Sequence, residues 1–179
     1  WDGVAWSAED SVAAPAGETG TVRWTTLASD PTSNRIALGT ITTGNHAWLG
    51  VWDGSTWEAA QLATAALPGQ TYPGVAVAFG GLTGAALAVY GEGDATVRYR
   101  TWSSGGGWSA QQLGPGLPGP FNSVTLSGDP YSDAAMLLGQ TDTGGLEHAR
   151  WDGAAWGTPA ELDANTAETG NQPFLFVWN

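Results

Sequence analysis

Six side chains hold most of the chemistry this sequence could offer: His46, Trp48, Arg98, Tyr99, His148 and Arg150. Arginine bonds carboxylate and sulfate groups through two parallel N–H donors. Trp and Tyr offer a flat apolar face with a polar edge. Arg98, Arg100 and Arg150 would therefore either clamp an acidic ligand or pair across strands with the acids around them. Trp48 stands outside the repeated Trp motif described below and is a candidate for an exposed platform. His46 and His148 fall near the starts of corresponding segments, as a site repeated along the chain would place them, or as exposed strand positions would.

Other chemistries find no support. The acids are scattered through turns and linkers, so no carboxylate pair can be assigned to a cleft. No Asp-x-Asp-x-Asp-Gly run exists, which argues against a calcium loop. Gly105-Gly106-Gly107 lies between two strand-like segments rather than between a strand and a helix, so it is not a phosphate loop. The expectation is no catalytic residue, no metal and no cofactor.

The elements that must position these residues are repeats. Trp52-Asp53-Gly54-Ser55-Thr56-Trp57 recurs as Trp1-Asp2-Gly3-Val4-Ala5-Trp6 and as Trp151-Asp152-Gly153-Ala154-Ala155-Trp156. A looser copy runs from Trp102 to Trp108 through Gly105-Gly106-Gly107. The spacing is about 50 residues, the period of one supersecondary unit. Each copy reads as a hairpin in which Asp-Gly makes the tight turn, both central positions taking positive φ. Asp2, Asp53 and Asp152 are expected to lock these turns through their own amides. Trp6, Trp57, Trp108 and Trp156 are expected to pack one repeat against the next, or alternatively to offer aromatic platforms to sugar rings.

Within a period four short strands follow. The first runs through Val22–Leu27, Val75–Phe79, Ser123–Leu126 and Phe174–Trp178. The second is Arg35–Gly39, Ala85–Tyr90 or Ala134–Leu138, almost wholly apolar, as a strand buried on both faces should be. The third is His46–Trp52, Val97–Trp102 or Leu146–Trp151, and the fourth begins at the second Trp of the motif. Gly and Pro punctuate the chain too often for helix. The organisation is a partial unit at 1–20, full units at 21–71, 72–119 and 120–170, and the first strand of another at 171–179. Four antiparallel strands per unit at this period are the mark of propeller blades. The fold expected is all-β, with three full blades and partial strands at both ends.

On these motifs the chain resembles bacterial and fungal β-propeller repeat proteins, including propeller lectins with Trp-x-Gly-x-x-Trp blades. There is also a faint similarity to the Asp-box turn of sialidase-type propellers, although that turn has a residue between Asp and Gly and this one does not. The resemblance implies the fold and an extracellular or cell-surface setting, and it carries over no site residue.

The chain has 179 residues, no cysteine, five basic residues, all arginine, and a formal net charge of −12. Such a charge disfavours nucleic acid and anionic membrane surfaces, and no apolar run is long enough for a membrane-spanning helix. The segment Phe174-Leu175-Phe176-Val177-Trp178 is apolar on both faces and reads as an assembly strand, pairing with a sheet edge outside its own blade. The partner would be another copy of the chain or further blades of a longer parent. Three functions stay open, in this order: a non-catalytic adhesin or filament module assembled by strand addition; a glycan-binding propeller lectin; an accessory domain of a polysaccharide-degrading enzyme.

Overall fold

The computed structural model describes residues 4–68, 72–166 and 174–179, and Trp1, Asp2 and Pro173 lie outside them. Thirteen strands form three antiparallel sheets, and no helix occurs among the described residues. The first blade is β1 (Val22–Ser29), β2 (Ile36–Thr42), β3 (Ala47–Trp52) and β4 (Gln61–Thr64). The second is β5 (Val75–Phe79), β6 (Ala86–Tyr90), β7 (Thr96–Ser103), the two-residue β8 (Gly107–Trp108) and β9 (Gln112–Gly116). The third is β10 (Phe121–Gly128), β11 (Ala135–Thr141), β12 (Leu146–Trp151) and β13 (Ala160–Asp163). In each blade neighbours in sequence pair in the sheet, save that β8 and β9 both pair with β7. These are propeller blades.

The second strands are buried along nearly their whole length, as their apolar composition demands. Each lies inside its sheet, and the second blade meets a neighbouring blade on both of its faces. The core consists of two layers. Ala37, Ile41, Leu49 and Val51 of the first blade pack on Val77, Phe79, Ala88 and Trp102 of the second. Ala76, Leu87, Val97 and Tyr99 of the second pack on Val124, Leu126, Leu137 and Trp151 of the third. Successive residues of a strand face opposite ways, so these layers set the direction of every third-strand side chain. Tyr99 of β7 faces the third blade. Arg98, Arg100 and Trp102 face the first.

The hairpin motif differs from the two-residue turn its sequence suggests. Asp53 N–H donates to the Thr56 carbonyl at 3.0 Å, so the tight turn is Asp53-Gly54-Ser55-Thr56, with Asp at its first position. Only Gly54 has positive φ, at 107°, and Gly153 matches it at 104°. Asp53 caps the turn by accepting from the amides of Ser55 and Thr56, at 2.7 and 2.8 Å. Asp152 does the same for Ala154 and Ala155. The Thr56 amide and the Ser55 hydroxyl and amide hold the Asp53 carboxyl down to about 2.

The fourth strand also starts later than the second Trp. Trp57 and Trp156 make single bridges to Trp52 and Trp151. The ladder resumes only at Leu49–Gln61 and His148–Ala160, after a slip in register. Trp6, expected to pack between blades, is 81% exposed. Residues 174–179 make no strand of their own. They lie beside β10, with the Trp178 indole N–H donating to the Ser127 carbonyl at 3.0 Å. Their side chains alternate between half-buried and exposed, the period of a strand.

Candidate functional site

In two of its copies, Trp108 and Trp156, the second Trp of the motif stands at a boundary between described blades, whereas Trp6 is exposed and Trp57 lies against residues 10–16. Trp57, Trp108 and Trp156 are all half-buried and occupy the same place in their hairpins. Trp108 packs on the layer between the first two blades, and Trp156 on the layer between the second and third. Trp156 belongs to an aromatic group with Tyr99 and Trp151, ring centroids 6.0 and 5.4 Å away. Such edge and tilted contacts stabilise the rings beyond their area of burial. Tyr99 is itself 8% exposed and sends its hydroxyl to Gln112 Oε1 at 2.9 Å.

A groove opens over this group. One wall is Leu113, Gly114 and Pro115 of β9, and the other is the hairpin of the third blade, from Ala154 to Pro159. Trp156 and Tyr99 form the floor. Its volume of about 440 Å³ lies inside the ~300–1,000 Å³ range of small-ligand sites. Leu113, 69% exposed, leaves an apolar lip. A second groove flanks Trp57, between the segment Asp10–Ala16 and Thr56–Ala60.

The register shows which third-strand residues are equivalent. Trp52, Trp102 and Trp151 pair with Ile36, Ala86 and Ala135 at matching places. Counting back from them, Trp48, Arg98 and Glu147 share one position, and Leu49, Tyr99 and His148 the next. His46 corresponds to Gly145, so the two histidines are not counterparts. Tyr99 and His148 face the following blade; Trp48, Arg98 and Glu147 face the preceding one. The six residues singled out in the sequence are thus divided between two faces and three blades.

Each has its own surroundings. Trp48 is 4% exposed, so its ring is not a surface platform; β3 is buried on both faces by the segment before β1 and by the second blade. His46 Nδ1 lies 3.0 Å from Glu18 Oε2. Burial of the Glu18 carboxyl would raise its pKa, but bonds from the Gly20 amide, the Thr42 hydroxyl and His46 outweigh this and hold it low. Arg98 is saturated: Nε meets Glu92 at 3.1 Å, and Nη2 meets Asp94 at 2.7 Å. Arg100 donates to the Tyr90 hydroxyl and the Ser109 and Ala63 carbonyls, bridging the first two blades. Arg150 is exposed near Asp129 and Asp152. Asp2 lies outside the described residues. No group of three or more His, Asp or Glu that could hold a metal occurs among the described residues.

Glu147 escaped the reading of the sequence. It is 2% exposed, and its Oε1 has no hydrogen-bond partner. It pairs across the sheet with Glu161. Burial and that second carboxylate push its pKa up. The one available signal was its alignment with Trp48 and Arg98, which depends on counting from the Trp end of the strand.

No protein-family model matches the sequence, and no curated protein matches it. Its structural neighbours are fungal β-propeller lectins. One is the lectin of Aleuria aurantia, described as a six-bladed β-propeller with a novel fucose recognition mode (TM-score 0.57, 18% identity, 94% of this chain and 51% of that one). Another is a substituted form of that lectin in complex with α-methyl-L-fucoside (0.55, 17%, 78% and 44%). A third is a triple arginine-to-alanine variant of AofleA from Arthrobotrys oligospora (0.56, 11%, 92% and 48%). The chain spans about half the length of these structures. At such identities the likeness is one of fold.

Proposed function

We propose that the chain is a non-catalytic glycan-binding module of the propeller-lectin type, working in an extracellular or cell-surface setting. One observation carries the reading: a half-buried Trp stands at each of the two boundaries between described blades, and at Trp156 it floors an open groove with Tyr99. A sugar has an apolar face of C–H groups and a rim of hydroxyls. Trp156 and Leu113 suit the face; Gln112, Thr158 and the exposed backbone suit the rim. Fold likeness to lectins named for fucose recognition supports the class of ligand and not its identity. Screening the chain on a glycan array, with Trp156→Ala beside it, tests the reading; capture of one glycan class by the parent and not by the variant is expected.

Assembly is a second reading, favoured by the lateral faces. Val22 and Leu27 on β1, Leu162 on β13, and Leu175 and Val177 in the last segment are all more than half exposed. Comparable faces between the described blades are buried. Further blades of a longer parent chain, or another copy, would cover them. Light scattering over a wide concentration range, with and without residues 173–179, tests this.

A further inference from the structure

We propose that Arg100 decides which blade boundaries of this chain take a ligand: its guanidinium bars the boundary between the first two blades, and the Trp156 groove is open because Ala149 stands in the matching place. This rests on the glycan-binding reading of the Trp156 groove and goes beyond it, naming the residue that sets where the chain binds and how many times.

The two boundaries are built from matching parts. Counted back from Trp102 and Trp151, Arg100 and Ala149 share one position, and both face the preceding blade. Leu49 pairs with Gln61 and Tyr99 with Gln112, so Leu62 and Ala63 of the first blade correspond to Leu113 and Gly114 of the second. Ser109 and Gly157 correspond as well: each follows the second Trp of its motif, and each donates its amide back to the third strand, to the Thr101 and Arg150 carbonyls. The first boundary thus has a floor in Trp108 and an apolar lip in Leu62, 37% exposed, as the next has Trp156 and Leu113.

Arg100 crosses the first boundary from wall to wall. Its Nη2 donates to the Ala63 carbonyl at 3.1 Å and its Nη1 to the Ser109 carbonyl at 2.7 Å. Ala63 and Ser109 are the counterparts of Gly114 and Gly157, which lie on opposite walls of the Trp156 groove. Nε donates to the Tyr90 hydroxyl at 3.2 Å, and that hydroxyl reaches Gln111 at 3.0 Å. A planar guanidinium held by three acceptors has little freedom to swing aside. At the next boundary the matching residues are Ala149 for Arg100 and Gly139 for Tyr90, and the two walls stand apart over Trp156. The groove beside Trp57 follows the same pattern. Its matching residue on β3 is Gly50, where a Cβ would make only ordinary contacts, 3.7 Å from Trp57 and Val12.

The preceding blades differ to match. The first brings Leu49 to its boundary with the second, where the second brings Tyr99 to its boundary with the third. A small aliphatic side chain and a long basic one meet at the first boundary; a ring and a methyl group meet at the next. A sugar stacked on Trp108 would have to displace the guanidinium and leave two carbonyls without their charged donor, a cost its own hydroxyls would offset only in part. The Trp156 groove already holds the volume a sugar needs.

The test is binding to an array of immobilised microbial and plant glycans, followed by calorimetric titration with the strongest of them in soluble form. Arg100→Ala should bind one more molecule per chain than the parent. The new site should be within about tenfold of the parent's affinity, and weaker because Leu49 stands where the other site has Tyr99. Added to Trp156→Ala, a variant expected to lose binding, Arg100→Ala should restore it, a gain that loosening of the fold does not produce. Arg100→Met keeps the apolar stem without the head; it should act alike, and it replaces the alanine variant should that one fail to fold. The converse, Ala149→Arg, should weaken the parent's binding at least about tenfold. Melting curves show which variants are folded. Unchanged stoichiometry in a folded Arg100 variant with no rescue of Trp156→Ala, or parent-like binding by folded Ala149→Arg, overturns the proposal and leaves the glycan reading standing. No binding of any glycan by the parent or the variants overturns both.

Discussion

Asp133 caps a turn that is not its own. Its Oδ1 accepts from the Thr83 amide at 2.9 Å, and from the Leu82 amide and the Thr83 hydroxyl, across the boundary between the third and second blades. In the first blade Asp30 caps the corresponding turn from within, through Thr32 and Ser33. In the third Asp129 does so through Tyr131 and Ser132. The second blade has Gly80 at that place, and a Cβ there would meet Asp133 Oδ1 at 2.5 Å. The missing carboxylate is supplied by the neighbour, which couples the two turns. Asp133→Ala should destabilise the chain by about 1 kcal/mol, the usual cost of losing a carboxylate cap, and urea unfolding measures it.

Gly128 sits where the inner strands meet. A Cβ at this residue would clash with the Phe79 carbonyl oxygen, which is backbone and cannot swing away. Gly128→Ala should lower stability by roughly 1–3 kcal/mol, the range for overpacked cores. Gly116→Ala, where nothing lies within 4 Å, is the control. Equal melting temperatures for the two would contradict the packing of β10 on β5.

The turn carboxylates give an acid limb to stability. Asp53 is ordinary in the unfolded chain and is held down to about 2 in the folded one. Its contribution is complete above the unfolded value and is lost as pH falls through the folded value. Glu147 has the opposite sign: its pKa is raised, so it favours folding at low pH and opposes it once ionised. Melting curves at stepped pH should therefore show Asp53→Asn closing its gap to the parent only in strong acid. Glu147→Gln should melt higher than the parent at neutral pH and lose that advantage as pH falls.

The repeated Trp residues should divide by burial. Trp6 is 81% exposed, so Trp6→Ala should change stability by no more than about 0.5 kcal/mol. Trp102 is 1% exposed and gives its indole N–H to Glu58 of the first blade at 2.9 Å. Trp102→Ala should cost about 3–5 kcal/mol. Chemical denaturation of the two variants decides.

The blades were legible because their signal is carried by covalently local features. The nearly apolar second strands, the Asp-Pro turns at Asp30 and Asp129, and the Trp pairs recur at a fixed period. The site was less so. A third strand reverses face with every residue, so placing Arg98 beside Tyr99 put two residues of opposite blade boundaries into one site. His46 and His148 fall near the starts of matching third strands, but the register separates them: His46 matches Gly145, and His148 matches Leu49. Trp48 could not be read as buried because the cover on its strand comes from residues distant in sequence. Asp133 capping Thr83 spans fifty residues and leaves no local trace.

The central claim is that the Trp156 groove binds a glycan. Isothermal titration of the parent, Trp156→Ala and Trp6→Ala with the best glycan from an array tests it most directly. The account predicts saturable binding by the parent and by Trp6→Ala, and a loss of at least about tenfold in Trp156→Ala, since an aromatic anchor in a pocket commonly contributes 2 kcal/mol or more. Equal affinity in all three proteins, each shown to be folded by its melting curve, would contradict it.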